Sequence, residues 1–250
     1  MDDRPKYVIL GRGRWAQRMS NILAGENRHV ANLADIRRRA TETKPDYRAR
    51  LSSDIADSGA QIAWLCVPPG AHVLPMLEAC ADAGVHAVAE KPWFGTPEET
   101  RAVEALANEN GIRIGIHYEY CLLDEVEAWR KNLAGDTSLT FGGTFHLARP
   151  NHLGITALDN LGSHLLSIRA YALTEAGISA IDCRYETPDR RVVWIEKEGK
   201  RIESLDLLAN KQPIIQRFIA KFEAALDGAA FELDLGFALR VADEIAALKK

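Results

Sequence analysis

The sequence predicts an α/β fold in two parts. Residues 1–118 read as a doubly wound parallel sheet of the Rossmann type, and residues 119–250 as a smaller α+β domain with a mixed or antiparallel sheet. Three observations carry this. Short apolar runs alternate with amphipathic stretches as far as residue 118. A glycine turn, Gly11-Arg12-Gly13-Arg14-Trp15-Ala16, follows the first run directly. Past residue 119 the pattern changes to helix, long strand, helix, three strand-like runs and two closing helices.

In order along the chain, 7–10 reads as a strand, followed by glycines and a helical pattern through Leu23. Residues 29–34 form a second strand-like run. Residues 62–67 are apolar on both faces and closed by Pro68-Pro69-Gly70, too short for a helix and suited to a buried parallel strand. Helical spacing over 74–83 leads to a short strand at 86–89. The helix at 96–110 carries its own start signal: Thr96 as N-cap, Pro97 as first residue and Glu99 three positions on. A last strand at 112–117 completes a strand–helix alternation that implies parallel pairing through right-handed crossovers. In the second half, 122–133 and 157–173 read as helices and 138–146 as a strand. Runs 178–185, 191–196 and 201–205, separated by turn signals, are expected to pair antiparallel, and helices at 213–226 and 233–248 end the chain.

Composition narrows the function. Hydrophobic residues make up 47% of the 250 and charged residues 26%, the mixture of a soluble globular protein. A formal net charge of −4 argues against nucleic acid, which selects a basic face. No apolar run could span a membrane, and the charged start at 1–6 has no signal-peptide core. Cys66, Cys80, Cys121 and Cys183 are widely spaced and read as reduced thiols, so a cytoplasmic location is expected. The histidines lack paired metal spacing, and no metal is expected.

The glycine turn has the strand before it and the helix after it that a dinucleotide site needs. Gly11 permits the tight turn, Gly13 lets backbone approach a pyrophosphate, and Ala16 lets helix and strand pack closely. The N-terminus of the helix offers free N–H groups to phosphate. Asp35, 22 residues past Gly13, stands at the end of the second strand, where an acid can hold the ribose hydroxyls. Arg37 and Arg38 follow. Each either binds a 2′-phosphate, stacks on adenine or belongs to a solvated helix face. Because Asp35 would repel a 2′-phosphate, NAD is the expected cofactor, with NADP left open. Lys91 falls at the carboxyl end of a strand, the ligand edge of such a sheet, where a lysine can donate to a substrate oxygen.

Four segments, in this order and at this spacing, carry a family resemblance: the glycine turn, Val67-Pro68-Pro69 followed by His72, Glu90-Lys91-Pro92, and Asn160-Leu161-Gly162-Ser163-His164. The sequence resembles the glucose–fructose oxidoreductase / inositol dehydrogenase (Gfo/Idh/MocA) family, and Pro213…Phe218…Phe222…Leu226-Asp227-Gly228 is similar to its penultimate helix. The resemblance implies a two-domain NAD(P)-dependent dehydrogenase or reductase acting on secondary alcohols or ketones of sugars, cyclitols or similar molecules. It makes Lys91 the orienting residue and His164 the general acid/base. It also places Arg12, Arg14, Trp15, Pro68, His72 and Glu90 with the cofactor.

The chain departs from the family's Asp-x-Gly-x-His motif at Asn160. On a regular helix Asn160 would lie on the face of His164 and could hydrogen-bond the imidazole or the substrate. It cannot accept a proton. Asp159 would point about 140° away, and Ser167 stands where a second family carboxylate often lies. His117 and Tyr118, after the last strand of the first half, line the site or, for His117, cap a strand end. His146 and Arg149 are further candidates for substrate binding, and Trp15 and Trp93 for packing on the cofactor. Two rival readings stay open: an imine reductase, which tolerates Asn160 better, and a catalytically silent dinucleotide-binding regulator. A homodimer covering the second sheet's open face is expected.

Overall fold

Strands β1 (Tyr7–Leu10), β2 (Val30–Leu33), β3 (Ile62–Leu65), β4 (His86–Glu90) and β5 (Ile114–His117) form one parallel sheet in the order β2-β1-β3-β4-β5. The computed structural model describes residues 4–250, so part of the charged start read at 1–6 lies outside the described residues. Every residue of β1, β3 and β5 is buried, which is why these runs are apolar on both faces. Helices α1 (Arg14–Gly25), α2 (Lys44–Asp57), α3 (Val73–Asp82) and α4 (Pro97–Glu109) make the crossovers. The α4 start is as the sequence predicts: Thr96 accepts from the Glu99 N–H and Glu99 accepts from the Thr96 N–H.

The sequence reading left 35–61 without an element, yet α2 lies there. It has a signal of the same kind, with Thr43 and Asp46 forming a capping box and Pro45 in the first turn. Its apolar stripe is three residues wide, Tyr47, Leu51 and Ile55, so polar neighbours mask the period.

The second sheet joins β6 (Leu139–His146), β7 (Gly177–Arg184), β8 (Arg190–Lys197) and β9 (Lys200–Asp206) in the order β7-β6-β8-β9. Of the three runs expected to be mutually antiparallel, β8 and β9 are, turning at Glu198-Gly199, both with positive φ. Strand β7 corrects the expectation: it pairs with β6, and in parallel. The chain reaches it through helix α6 (Ser163–Ala172), a crossover that returns to the same edge direction. One sheet face packs on α6, where a Cβ on Gly143 would sit 2.9 Å from Leu165; on the other, the Trp194 indole lies across Gly142.

Helix α5 (Asp124–Leu133) precedes this sheet, and α7 (Ile214–Leu226) and α8 (Leu235–Leu248) follow it. The chain forms two units: residues up to His117 together with Lys221–Leu239, and Tyr118–Ala220 together with Arg240–Lys250. The sequence places a single cut at 118/119; here 221–239 return to the first unit. The Arg28 guanidinium donates to both oxygens of Glu223 at 2.6 and 2.7 Å, and the Tyr7 hydroxyl donates to Glu223 at 2.7 Å. Phe222 and Phe231 fill the space over Gly115, and the Ile116 N–H at the sheet edge donates to the Leu233 carbonyl at 2.7 Å. That bond takes the Ile116 N–H out of the open edge of β5. Among the described residues no helix is long and apolar enough to cross a membrane.

Candidate functional site

In the first unit the strand order reverses at β1, with β2 on one side and β3 on the other. Ligands of open α/β sheets bind beyond the carboxyl ends at such a point. A cleft of about 1270 Å³ lies there, lined by Gly11, Arg12, Gly13, Arg37, Pro68 and His72 among others. The local reasons are legible atom by atom. Gly11 has φ +138°, and a Cβ on it would meet the Cys66 carbonyl oxygen at 2.5 Å. Only glycine brings β1 this close to the end of β3. Gly13 is the N-cap of α1, with no side-chain cap bond and no atom within 4 Å of where its Cβ would stand. Ala16 is buried under the helix. The helix N-terminus therefore faces open space with its N–H groups unspent by a cap, the arrangement a pyrophosphate needs.

The residues after β2 differ from expectation. Asp35 is not among the lining residues; its carboxylate lies 3.6 Å from Arg39 and is 76% exposed. Strand β2 ends at Leu33, and Ala34 and Ile36, on either side of Asp35, line the cleft. Arg37 and Arg38 do line it.

Glu90 closes β4 but turns inward. It accepts hydrogen bonds from the Trp15 indole at 2.5 Å and the Trp64 indole at 2.9 Å, and His117 Nδ1 lies 3.3 Å from it. Burial pushes its carboxyl up; the His117 charge and the three hydrogen bonds outweigh this and hold it below the usual carboxylate range. It ties the start of α1 to β3 and β5. His117 is 1% exposed and stacks beside Trp15, so it is a buried partner of Glu90 rather than a lining residue. Tyr118 is buried as well, and Trp93 donates to Thr100 at 2.9 Å in the core. Lys91, one step past Glu90, is half-buried at the strand end, and the Lys91–Pro92 peptide is cis.

In the second unit His164 is half-buried in the first turn of α6. Its ring stacks on Phe145 of β6 at 4.9 Å and 9°, and Tyr120 meets it edge-on at 5.1 Å. On Phe145 also rests the Arg191 guanidinium, 4.9 Å from the ring centroid, which donates to the Tyr120 hydroxyl at 3.3 Å. Sequence reading passed over Phe145 and Arg191; strand period alone marks Phe145 as inward-facing, and nothing local marks Arg191.

The turn before α6 is a π turn, Leu158–Gly162, so the face-sharing of Asn160 and His164 expected from α-helical spacing does not carry over unchanged. Asn160 is buried, and its amide donates to the Tyr185 hydroxyl at 2.7 Å. Asp159 is spent on Thr156 and Lys249, and Ser167 on the His164 carbonyl. His146 follows Phe145 on the strand and so faces the other side of the sheet from His164, between Asp182 at 2.9 Å and Glu186 at 3.1 Å. Arg149 is exposed in the following loop.

Comparison with known proteins agrees with this architecture. The family described as "Oxidoreductase family, NAD-binding Rossmann fold" (GFO_IDH_MocA) matches residues 6–118. An uncharacterized oxidoreductase, YfiI, of Bacillus subtilis (strain 168) is 30% identical over 77 residues, which are 30% of this chain and 19% of that relative. The matched part is thus about a fifth of that relative's length. Among solved structures, the WlbA dehydrogenase of Thermus thermophilus in complex with NAD and UDP-GlcNAcA superposes with a TM-score of 0.72 at 16% identity, covering 99% of this chain and 95% of that one. The UDP-N-acetylglucosamine 3-dehydrogenase GnnA of Acidithiobacillus ferrooxidans gives 0.74 at 14% identity, over 97% and 96%. GenD2 from gentamicin A biosynthesis, in complex with NAD, gives 0.75 at 15%, over 99% and 93%. At these identities the likeness is one of fold.

Proposed function

We propose, from the match of residues 6–118 to the oxidoreductase family with an NAD-binding Rossmann fold, that the chain is a Gfo/Idh/MocA oxidoreductase carrying out a specific reaction. The protein oxidises a secondary alcohol, or reduces the corresponding ketone, on a sugar, cyclitol or comparable small polar molecule. The observation that carries the reading is the cleft at the strand reversal, where Gly11 and Gly13 leave the room a dinucleotide needs. The Gly11–Gly13 turn and the N-terminus of α1 would hold the dinucleotide, whose nicotinamide would supply the hydride-transfer chemistry. Lys91, at the carboxyl end of β4, donates to and orients the substrate. His164, held by Phe145 and Tyr120, takes or returns the hydroxyl proton, a task suited to imidazole near neutral pH. Dehydrogenases of nucleotide sugars among the similar folds support a sugar-like substrate.

The test is a titration with NADH, read by nicotinamide fluorescence, then by its decay with a panel of ketones, oxidised sugars and imines. Binding with oxidation by a ketone supports the reading; decay with imines alone transfers it to imine reduction; failure to bind ends it. Asn160→Asp probes the departure from the family motif. A carboxylate can offset an imidazolium as the amide cannot. We expect alcohol oxidation to rise by about ten-fold, with the pH profile of kcat displaced. An unchanged or lower rate would mean that the site is built around the amide and its Tyr185 contact.

A further inference from the structure

We propose that Arg191 holds a carboxylate of the substrate beside His164, so that the protein acts on a hydroxy acid or an acidic sugar rather than on a neutral one. The inference rests on the reading of His164 as the acid/base and adds a substrate class to it. It starts from where the arginine stands. Arg191 pairs with Phe145 across β6 and β8, and the strand period puts it on one face with Val193 and Ile195, both fully buried. A cation thus ends an apolar row. Its guanidinium lies on the Phe145 ring, 4.9 Å from the centroid, and the His164 imidazole stacks on the same ring at 4.9 Å. One aromatic side chain carries both the proton-transfer group and a positive charge.

That charge is only partly used. Nη1 donates to the Tyr120 hydroxyl and Nη2 to Asp189, each at 3.3 Å, and the buried Nε–H has no partner among the described residues. Both bonds are long for a charged donor, and an orphan buried N–H costs about 1–3 kcal/mol. Asp189 meets the guanidinium with one oxygen, while its other oxygen accepts from the Ala148 N–H. The arginine is not sealed off: 21% of its side chain is open. An under-bonded planar fork with an open edge suits a carboxylate, which takes two parallel bonds from it. A phosphate suits it less, since Asp189 already offsets part of the positive charge and a dianion would stand uncompensated. The next residue, Arg190, is exposed and faces the opposite side of the sheet, which makes it the control.

The experiment gives the full chain, with saturating NAD, matched pairs of 2-hydroxy acids and uronic acids and their primary amides, with sugar phosphates as a third arm. NADH fluorescence reads turnover. Calorimetry on the NADH-loaded chain, which has no oxidised cofactor to take a hydride, reads binding of the same compounds. We expect the acids to exceed their amides in kcat/KM by about ten- to hundred-fold, the worth of hydrogen bonds to a charged group. Arg191→Gln should remove that margin through the KM of the acids and leave the amides nearly unchanged. Arg191→Lys should restore part of it, and Arg190→Gln should leave it intact. Circular dichroism checks the fold, and the comparison of acid with amide on the parent chain needs no variant. Equal use of acids and amides by the parent overturns the proposal, as do acids that neither bind nor react. An Arg191→Gln chain that slows both alike overturns it too, making the arginine a brace for Tyr120 and Phe145, and so does a preference for sugar phosphates. If nothing is turned over while acids still bind above their amides through Arg191, the reaction proposed above fails and the carboxylate site stands.

Discussion

Lys91→Ala is expected to lower kcat by about a thousand-fold, within the range for loss of a group that works on proton transfer, while NADH affinity changes by no more than about three-fold. The two effects separate because of where the strand ends. Glu90 is anchored inward by Trp15, Trp64 and His117, which fixes the backbone at the carboxyl edge of β4. Lys91 is thereby delivered to the ligand side of the sheet, half-buried, while the glycine turn and cleft wall are formed by other residues. Steady-state rates on the substrate identified by the panel, beside fluorescence titration of NADH, check both halves. Turnover that survives nearly intact would remove Lys91 from the chemistry; loss of NADH binding in step with kcat would make it a cofactor ligand instead.

Glu223→Gln is expected to destabilise the first unit by about 1–3 kcal/mol, the cost of losing charged hydrogen bonds to a buried guanidinium that keeps only the Glu26 carboxylate, 3.6 Å away. The Arg28 side chain is 9% exposed and meets the carboxylate with a bidentate fork, and Tyr7, fully buried, donates to the same group. Burial pushes the Tyr7 hydroxyl far above its ordinary pKa, and the adjacent Glu223 charge adds to this, so the tyrosine stays a neutral donor. The amide keeps the shape but removes the nearer of the two carboxylates that face Arg28. Urea unfolding followed by circular dichroism measures the loss. The paired replacement Arg28→Met/Glu223→Leu should recover most of it, because an apolar pair carries no desolvation penalty. A Glu223→Gln protein within about 0.5 kcal/mol of the parent, the usual range for a surface change, would show that 221–239 is held to the first unit by packing alone.

How far the site could be read in advance depended on the range of the interaction that makes it. The glycine turn, the Thr96 cap and the short buried strands are set by the residues themselves and their immediate neighbours, so their spacing reveals them. Helix α2 was legible by the same rule from Thr43, Pro45 and Asp46, but a stripe of three apolar residues gave the period little contrast. His117 reads equally as a site-lining residue or a strand-end cap; its partner Glu90, 27 positions away, holds it buried. Asn160 was placed by α-helical spacing, which the π turn at Leu158–Gly162 interrupts.

By itself the sequence determined the doubly wound half, the glycine turn at the start of α1, the places of Lys91 at a strand end and His164 on a helix, and the family it resembles. These features rest on backbone conformation, hydrophobic period and capping, all of which act within a turn or a strand of their own residues. Only the tertiary structure decided which charges face the cleft and which are consumed. It turned Asp35 outward and left Arg37 facing the cleft, drew Glu90 inward, set β7 beside β6, and joined Arg28 to Glu223 across 195 residues. A charge takes whichever partner the fold brings within hydrogen-bond distance, and at such separations no local pattern records the choice.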